Sequence, residues 1–251
     1  MDLGFKDRVA IVTGGTRGIG LATARALALE GCHVGVCGRS VDSLRAADAE
    51  GLFACQADLN DEHQTTAFVD SVHAKFGRLD ILVNNAGGSL GGGGFQVSTL
   101  DQWRRVMDIN LFSALVASKA AVPHMQQRHW GRIIHISSIW GKEGGGGAAY
   151  NAAKAALISL SKAMARDLAN DGILVNTVAP GSVLFPGGGW DKRMQADPQG
   201  IAAFVERDLP LGRFGRPDEV ARTVVFLASE AAGLISGSCI VVDGCQSHSN
   251  L

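Results

Sequence analysis

Seven short apolar runs are spaced along the chain: Val9–Val12, His33–Cys37, Phe53–Gln56, Ile81–Val83, Ile133–Ile136, Leu174–Val178 and Ile240–Val242. Stretches of helical periodicity separate them. A strand that is apolar at nearly every position, rather than at every second one, is buried on both faces. A sheet with helices on both sides buries such strands, so the alternation predicts an α/β fold: a doubly wound, seven-stranded parallel sheet of the Rossmann type. Local signals mark the helix ends. A helix over Gly18–Glu30 stops at Gly31, and Ser40 caps the next. Asn60 caps a helix running to Phe76, with Gly77 as its stop. Thr99 and Gln102 have the spacing of a capping box for a long helix across Trp103–Gln127, disturbed near Pro123. Ala149–Asn170 reads as a second long helix, and Pro217 fits the first turn of a helix ending near Ser229. No repeat or boundary interrupts the pattern, so residues 1–251 read as one domain.

The charge balance narrows the function classes. Net charge is −1 and no run of like charges occurs, which leaves no electrostatic case for nucleic acid or an anionic membrane surface. Met1–Val12 holds only a short apolar run, neither a signal peptide nor a spanning helix, and no other stretch approaches bilayer length. The five cysteines include no Cys-x-x-Cys pair, which predicts reduced thiols and a cytoplasmic protein. The seven histidines lack ligand spacing, and His135 sits inside an apolar run as a hydrogen-bonded core residue. No catalytic metal is expected.

Glycine marks the site. The first strand runs into Thr13-Gly14-Gly15-Thr16-Arg17-Gly18-Ile19-Gly20, where backbone N–H groups and a helix N-terminus can meet a pyrophosphate. Three further runs, Gly91–Gly94, Gly144–Gly147 and Gly187–Gly189, each follow a strand. In an open parallel sheet the loops at the strands' carboxyl ends form the ligand crevice, so all four clusters are expected to ring one edge as mobile, close-approach loops. A dinucleotide's ribose is read at the end of the second strand. Here that strand ends Gly38-Arg39-Ser40 without a carboxylate. Gly38 leaves room, and Arg39 offers a forked cation suited to a 2′-phosphate, with Arg17 approaching from the other side. The pattern predicts NADP(H) over NAD(H).

Tyr150 is the sole tyrosine, and Lys154 follows it by one helical turn. An ammonium beside a phenol favours phenolate and makes a proton donor for neutral pH. Ser138 stands twelve residues before Tyr150.

Taken in order, these motifs resemble the short-chain dehydrogenase/reductase family over essentially the whole chain, and within it the 3-oxoacyl reductase-like carbonyl reductases. Thr13–Gly20 is similar to the family's phosphate loop, and Asp58-Leu59 to its adenine contact. Asn84-Asn85-Ala86-Gly87 matches its signature after the fourth strand. Asn110, Ser138, Tyr150 and Lys154 match its catalytic residues. Pro180-Gly181 matches the turn near the nicotinamide, and Asp243-Gly244 the C-terminal signature. The resemblance implies that NADPH delivers hydride to a carbonyl carbon while Tyr150 protonates the oxygen and Ser138 holds it. Lys154 would lower the Tyr150 pKa and hold the nicotinamide ribose, and Asn110 would hold a water of a proton relay. The implied cofactor set is Gly14, Thr16, Arg17, Gly18, Ile19, Gly20, Arg39, Ser40, Asp58, Leu59, Asn84, Ala86, Gly87, Tyr150, Lys154, Pro180, Gly181 and Val183.

The chain departs from the family pattern in places. The loop before Tyr150 is one residue short, so spacing from Tyr150 picks Ser137 and counting from Arg132 picks Ser138. Phe185 replaces a threonine that contacts the carboxamide, which leaves that contact to the Val183 backbone. The usual Asp-Gly-Gly is Asp243-Gly244-Cys245. Residues from about 183 to 215 resemble the substrate lid, where Phe185 and Trp190, with Trp140 facing them, suit an apolar small-molecule carbonyl or alcohol. The long helices resemble those that pair in homotetramers. An NAD-dependent alcohol dehydrogenase and a non-catalytic cofactor sensor are the alternative readings.

Overall fold

The computed structural model describes residues 3–91 and 93–250. Seven strands, β1 (Val9–Val12), β2 (His33–Gly38), β3 (Phe53–Gln56), β4 (Ile81–Asn84), β5 (Gly131–Ile136), β6 (Ile173–Pro180) and β7 (Cys239–Val242), form one parallel sheet. Its order is β3-β2-β1-β4-β5-β6-β7, the doubly wound arrangement that the apolar runs predict. The order reverses direction between β1 and β4, so a crevice opens there at the strands' carboxyl ends.

Alternation along β1 shows how both faces are buried. Ala10 and Val12 enter one core with Ala24, Leu27, Val224 and Leu227. Val9 and Ile11 enter the other with Val69, Val72, Ile133 and Met125. Helices α1 (Gly18–Leu29) and α9 (Pro217–Ala228) cover the first face. Helices α3 (Glu62–Phe76), α5 (Ser113–Gln126) and α6 (Ala148–Asp167) cover the second, and α2 (Val41–Ala49) packs beside β2 and β3.

Several boundaries differ from the sequence expectations. Asp61, not Asn60, caps α3: its carboxylate accepts from the N–H groups of His63 and Gln64 at 2.9 and 3.1 Å. Asn60 instead donates its side-chain amide to Asp58 at 3.0 Å. The long helix after Thr99 is α4 (Leu100–Met107), a π turn (Asp108–Phe112) and α5, so the disturbance lies at Asp108–Phe112 while Pro123 rides inside α5. This continuous stretch, Leu100–Gln126, is long and apolar enough to cross a membrane by length and composition, contrary to the sequence expectation. Here it packs against α3 and α6. The segment expected as a lid, about residues 183–215, holds two helices that periodicity does not announce, α7 (Gly189–Ala196) and α8 (Pro198–Asp208). Asp197 caps α8 by accepting from Gly200 N–H at 2.9 Å, and Pro198 starts it.

The amino edge of the sheet is held by charge. Asp80 is fully buried. It accepts from Val9 N–H at 2.8 Å and from the guanidinium groups of Arg78 at 2.6 Å and Arg8 at 3.3 Å. Arg8 and Arg132 lie over the Trp130 ring at 3.7 and 4.3 Å from its centroid. Removing one partner of a buried charge network leaves the others uncompensated, at a cost of about 3 kcal/mol or more. We therefore expect Asp80→Ala to lower the urea unfolding free energy by about 3 kcal/mol. Because this cluster lies at the edge opposite the crevice, turnover of the folded protein should be unchanged.

Candidate active site

A groove of about 510 Å³ runs along the carboxyl edge of the sheet between the phosphate loop and the lid. At one end, α1 begins at Arg17 without a side-chain cap. Helices α2, α3, α4 and α8 are capped by Ser40, Asp61, Thr99 and Asp197. Like α6 and α7, α1 has no side chain capping its first turn, and because its start lies on the groove wall the arrangement suits a phosphate. Gly14 and Gly18 take left-handed conformations, at φ 62° and 56°, which the turn requires. Asn85 braces the loop, donating its side-chain amide to the carbonyls of Thr13 at 2.9 Å and Gly14 at 3.2 Å.

Of the sequence-predicted cofactor residues, Gly14, Thr16, Arg17, Ile19, Arg39, Asp58, Leu59, Ala86, Gly87, Tyr150, Lys154, Pro180, Gly181 and Val183 all line this groove. Others stand elsewhere. Gly18 lies beneath the Phe185 ring and Gly20 against Asn85, each where a Cβ would collide. Ser40 caps α2, accepting from Ser43 N–H at 3.4 Å. Asn84 is turned into the core, where its amide meets Ser118 Oγ at 3.0 Å and His135 Nδ1 at 3.2 Å. As the last residue of β4 it points inward; the next residue, Asn85, is the one on the wall. The core placement of His135 holds, and burial, with Lys154 nearby, pushes its pKa down to about 3. Arg17 reaches across to the lid, donating to Gly187 O at 3.4 Å, rather than toward the strand-two ribose position. Arg39 is exposed on the wall.

The reactive end is built at the junction of β5 and α6. The Ser138 and Tyr150 side chains both line the groove, with Ser138 near enough to the phenol to favour its ionised form. Ser137 points away and donates to Lys154 O at 2.9 Å, so Ser138 is the serine that faces the phenol. Lys154 is buried, and its ammonium donates to Ile136 O at 2.8 Å, 5.6 Å from the Tyr150 ring centroid. Burial lowers the Lys154 pKa to about 7. Burial also raises the Tyr150 pKa, against a smaller opposing effect of Ser138. The expected depression of the phenol by Lys154 is therefore absent, because the same desolvation that lifts the phenol also drives the neighbouring amine toward neutrality.

Asn110 is fully buried and does not reach the groove wall. The π turn aims its amide inward, where it donates to Val106 O at 2.8 Å and Gly88 O at 2.9 Å and accepts from Gly88 N–H at 3.0 Å. Gly87 lets it approach Lys154: a Cβ there would lie 2.5 Å from Asn110 Oδ1 and 3.1 Å from Lys154 Nζ.

On the lid side, Phe185 and Trp190 line the groove, and Trp190 stacks on Phe204 with centroids 4.5 Å apart. Trp140 does not line it. Its ring fills the space beside Gly145 and Gly146, so the Gly144–Gly147 run packs on a tryptophan instead of bordering the groove. Gly188 and Gly189 do border it. Gly92, within the Gly91–Gly94 run, lies outside the described residues. Sequence reasoning missed Leu90, which lines the groove mouth in a left-handed conformation at φ 50°. Among the described residues no cluster of three His, Cys, Asp or Glu side chains is placed to hold a metal.

The buried lysine carries a pH signature. Its pKa is about 7 folded and about 10.5 unfolded, so between those values the unfolded chain binds a proton that the folded chain does not. Stability from this group therefore rises with pH from about 7 toward 10.5. We expect the unfolding free energy of the wild type, relative to Lys154→Met, to rise by up to about 1.4 kcal/mol per pH unit across this window. Urea titrations of both proteins at pH 7, 8 and 9 check this, and a constant difference contradicts it.

Known proteins agree with this architecture. The family profile described as enoyl-(acyl carrier protein) reductase matches residues 14–246. The cis-4-hydroxycyclohexanecarboxylate dehydrogenase of Sinomonas cyclohexanicum is 38% identical, covering 96% of each chain. The 3-oxoacyl-acyl-carrier-protein reductase of Escherichia coli K12 is 37% identical over 96% of this chain and 98% of its own. The crystal structure of levodione reductase superposes with a TM-score of 0.91 at 30% identity, covering 98% of this chain and 99% of that one. The chain belongs to the short-chain dehydrogenase/reductase family and is an oxidoreductase acting on the alcohol–carbonyl couple.

Proposed function

We propose that this enzyme reduces a compact, apolar ketone with NADPH. One observation carries the reading: a Ser138–Tyr150 hydroxyl pair above a buried lysine stands in the same groove as an uncapped helix N-terminus and Arg39. A cofactor sensor without catalysis has no need of the hydroxyl pair. When bound, the nicotinamide cofactor supplies the hydride.

The protein's residues do the rest. The first-turn amides of α1 hold the pyrophosphate, and Arg39 meets the 2′-phosphate, with no carboxylate at the end of β2 to repel it. Asp58 faces the adenine, and the Val183 backbone the carboxamide. Ser138 donates to the carbonyl oxygen, and Tyr150 transfers its proton there as charge develops. A raised phenol pKa keeps that proton in place for reduction. Lys154 holds the nicotinamide ribose and passes protons to Tyr150. Because the Asn110 amide is occupied by Gly88 and Val106, the relay water is held by backbone at the π turn. Leu90 and Trp190 line the substrate end, while the cationic side chains on the wall other than Lys154 are Arg17 and Arg39, at the phosphate end. This favours a neutral ketone over an acidic carrier protein. The name of the Sinomonas relative points to a cyclohexane ring as a suitable frame.

Exposed Leu100 and Phe112 on the α4–α5 stretch support assembly into a homotetramer. Five free cysteines support a reducing, cytoplasmic setting, and the even charge supports the absence of nucleic-acid or membrane partners.

Two substitutions test the reading. Tyr150→Phe should abolish ketone-dependent NADPH oxidation, a loss of 10³-fold or more on the order expected for a lost general acid. NADPH binding, followed by fluorescence, should persist; retained turnover contradicts the mechanism. Arg39→Ala should weaken NADPH by roughly tenfold or more, the scale of a lost charge-assisted bond, and leave NADH nearly unchanged. Equal loss for both cofactors contradicts the phosphate assignment.

A further inference from the structure

We infer that Gln246, in the C-terminal tail, is a positioning residue that orients the peptide facing the nicotinamide end of the groove. The inference rests on the reductase reading above.

Gln246 is buried, at 6% exposure, and follows β7 by four residues. Its side-chain amide grips a single residue twice: Oε1 accepts from Ser182 N–H at 2.7 Å, and Nε2 donates to Ser182 Oγ at 2.9 Å. Ser182 is itself buried, between Gly181 and Val183, both of which line the groove. Its third polar group is also taken, since Ser182 O accepts from Gly215 N–H at 2.9 Å. Fixing that carbonyl fixes the next peptide plane, because a trans peptide sets the Val183 N–H opposite the Ser182 C=O. Ser182 O points to Gly215, so the Val183 N–H points away from it.

The tail is shaped to deliver this amide. Asp243 accepts from Cys245 N–H at 2.9 Å and from Ser247 N–H at 2.7 Å, closing a tight turn. Within it Cys245 takes a left-handed conformation at φ 69°, unusual for a residue with a side chain, and Gln246 is directed back onto the sheet edge. A Cβ on Gly181 would lie 2.7 Å from both Asp243 Cβ and Gln246 Oε1, so turn and tail are in close contact. Two residues on, His248 N–H donates to Glu143 Oε2 at 3.0 Å, in the loop that follows Ser138 and Trp140. One short tail therefore ties the Pro180–Val183 turn to the loop beyond the serine.

A structural role alone would weaken every ligand; a positioning role weakens only what meets the Val183 peptide. Gln246→Leu keeps the bulk and removes both hydrogen bonds. We expect it to lower kcat and NADPH affinity by on the order of tenfold each, the scale of two lost bonds and a stranded buried amide. Affinity for 2′,5′-ADP, which lacks the nicotinamide half, should stay at the wild-type value. Gln246→Glu should restore most of the loss, since a carboxylate accepts from both the Ser182 N–H and its hydroxyl. Unchanged kcat and NADPH affinity in Gln246→Leu, equal weakening of 2′,5′-ADP, or no rescue by Gln246→Glu would overturn the inference. A wild type that oxidises no NADPH with any ketone defeats the reductase reading instead and takes this inference with it.

Discussion

The site depends on one buried lysine. Lys154 is out of water, and its ammonium hydrogen-bonds the carbonyl of Ile136, the last residue of β5. That bond ties the first turns of α6 to the sheet. Ser137 reinforces it by donating to the lysine's own carbonyl, and Gly141 leaves room for the contact, since a Cβ there would lie 2.8 Å from the Lys154 backbone. Once Lys154 is fixed, Tyr150 stands one turn earlier on the same helix face, opposite Ser138. Gly87 and the π turn then bring Asn110 to the lysine from the far side. Desolvation keeps the amine near its titration point, which suits the proton-passing role proposed for it.

The two edges of the sheet divide the work. At the amino edge, Asp80 collects two arginines and a backbone amide, and Arg8 and Arg132 lie over Trp130. These groups find their partners within the chain. At the carboxyl edge, polar groups are left for something outside the chain: the uncapped start of α1, the Arg39 guanidinium and the Tyr150 hydroxyl. Parallel topology explains the difference, because all the strands deliver their loops to the same side.

Much of this was legible in the sequence, for physical reasons that differ by element. The seven strands were readable because apolar runs buried on both faces have few alternatives. The phosphate loop was readable because its glycines serve backbone conformation. Tyr150 and Lys154 stood out by helical spacing. What the sequence does not show depends on tertiary context. Asn84 and Asn85 look equivalent in one dimension, and only the end of β4 decides which faces the groove. Trp140 is two residues from Ser138 on the wall, yet its ring lies in the space beside Gly145 and Gly146. The π turn carries no sequence signal in the 3.6-residue period, so in the sequence only Pro123 marks a disturbance. The direction of the Tyr150 pKa is not legible in spacing, because burial cannot be seen there; a lysine one turn away acts on a phenol only as strongly as its own charge survives desolvation.

The central claim is that Tyr150 supplies the proton for ketone reduction. The most direct measurement is kcat/KM for an accepted ketone with NADPH as a function of pH. Lys154 contributes an inflection near 7, and a phenol that must be protonated, with its pKa held above its ordinary value of 10, predicts no further loss of activity between that inflection and pH 10. A second fall, tenfold per pH unit, that sets in between the Lys154 inflection and pH 10 would contradict it.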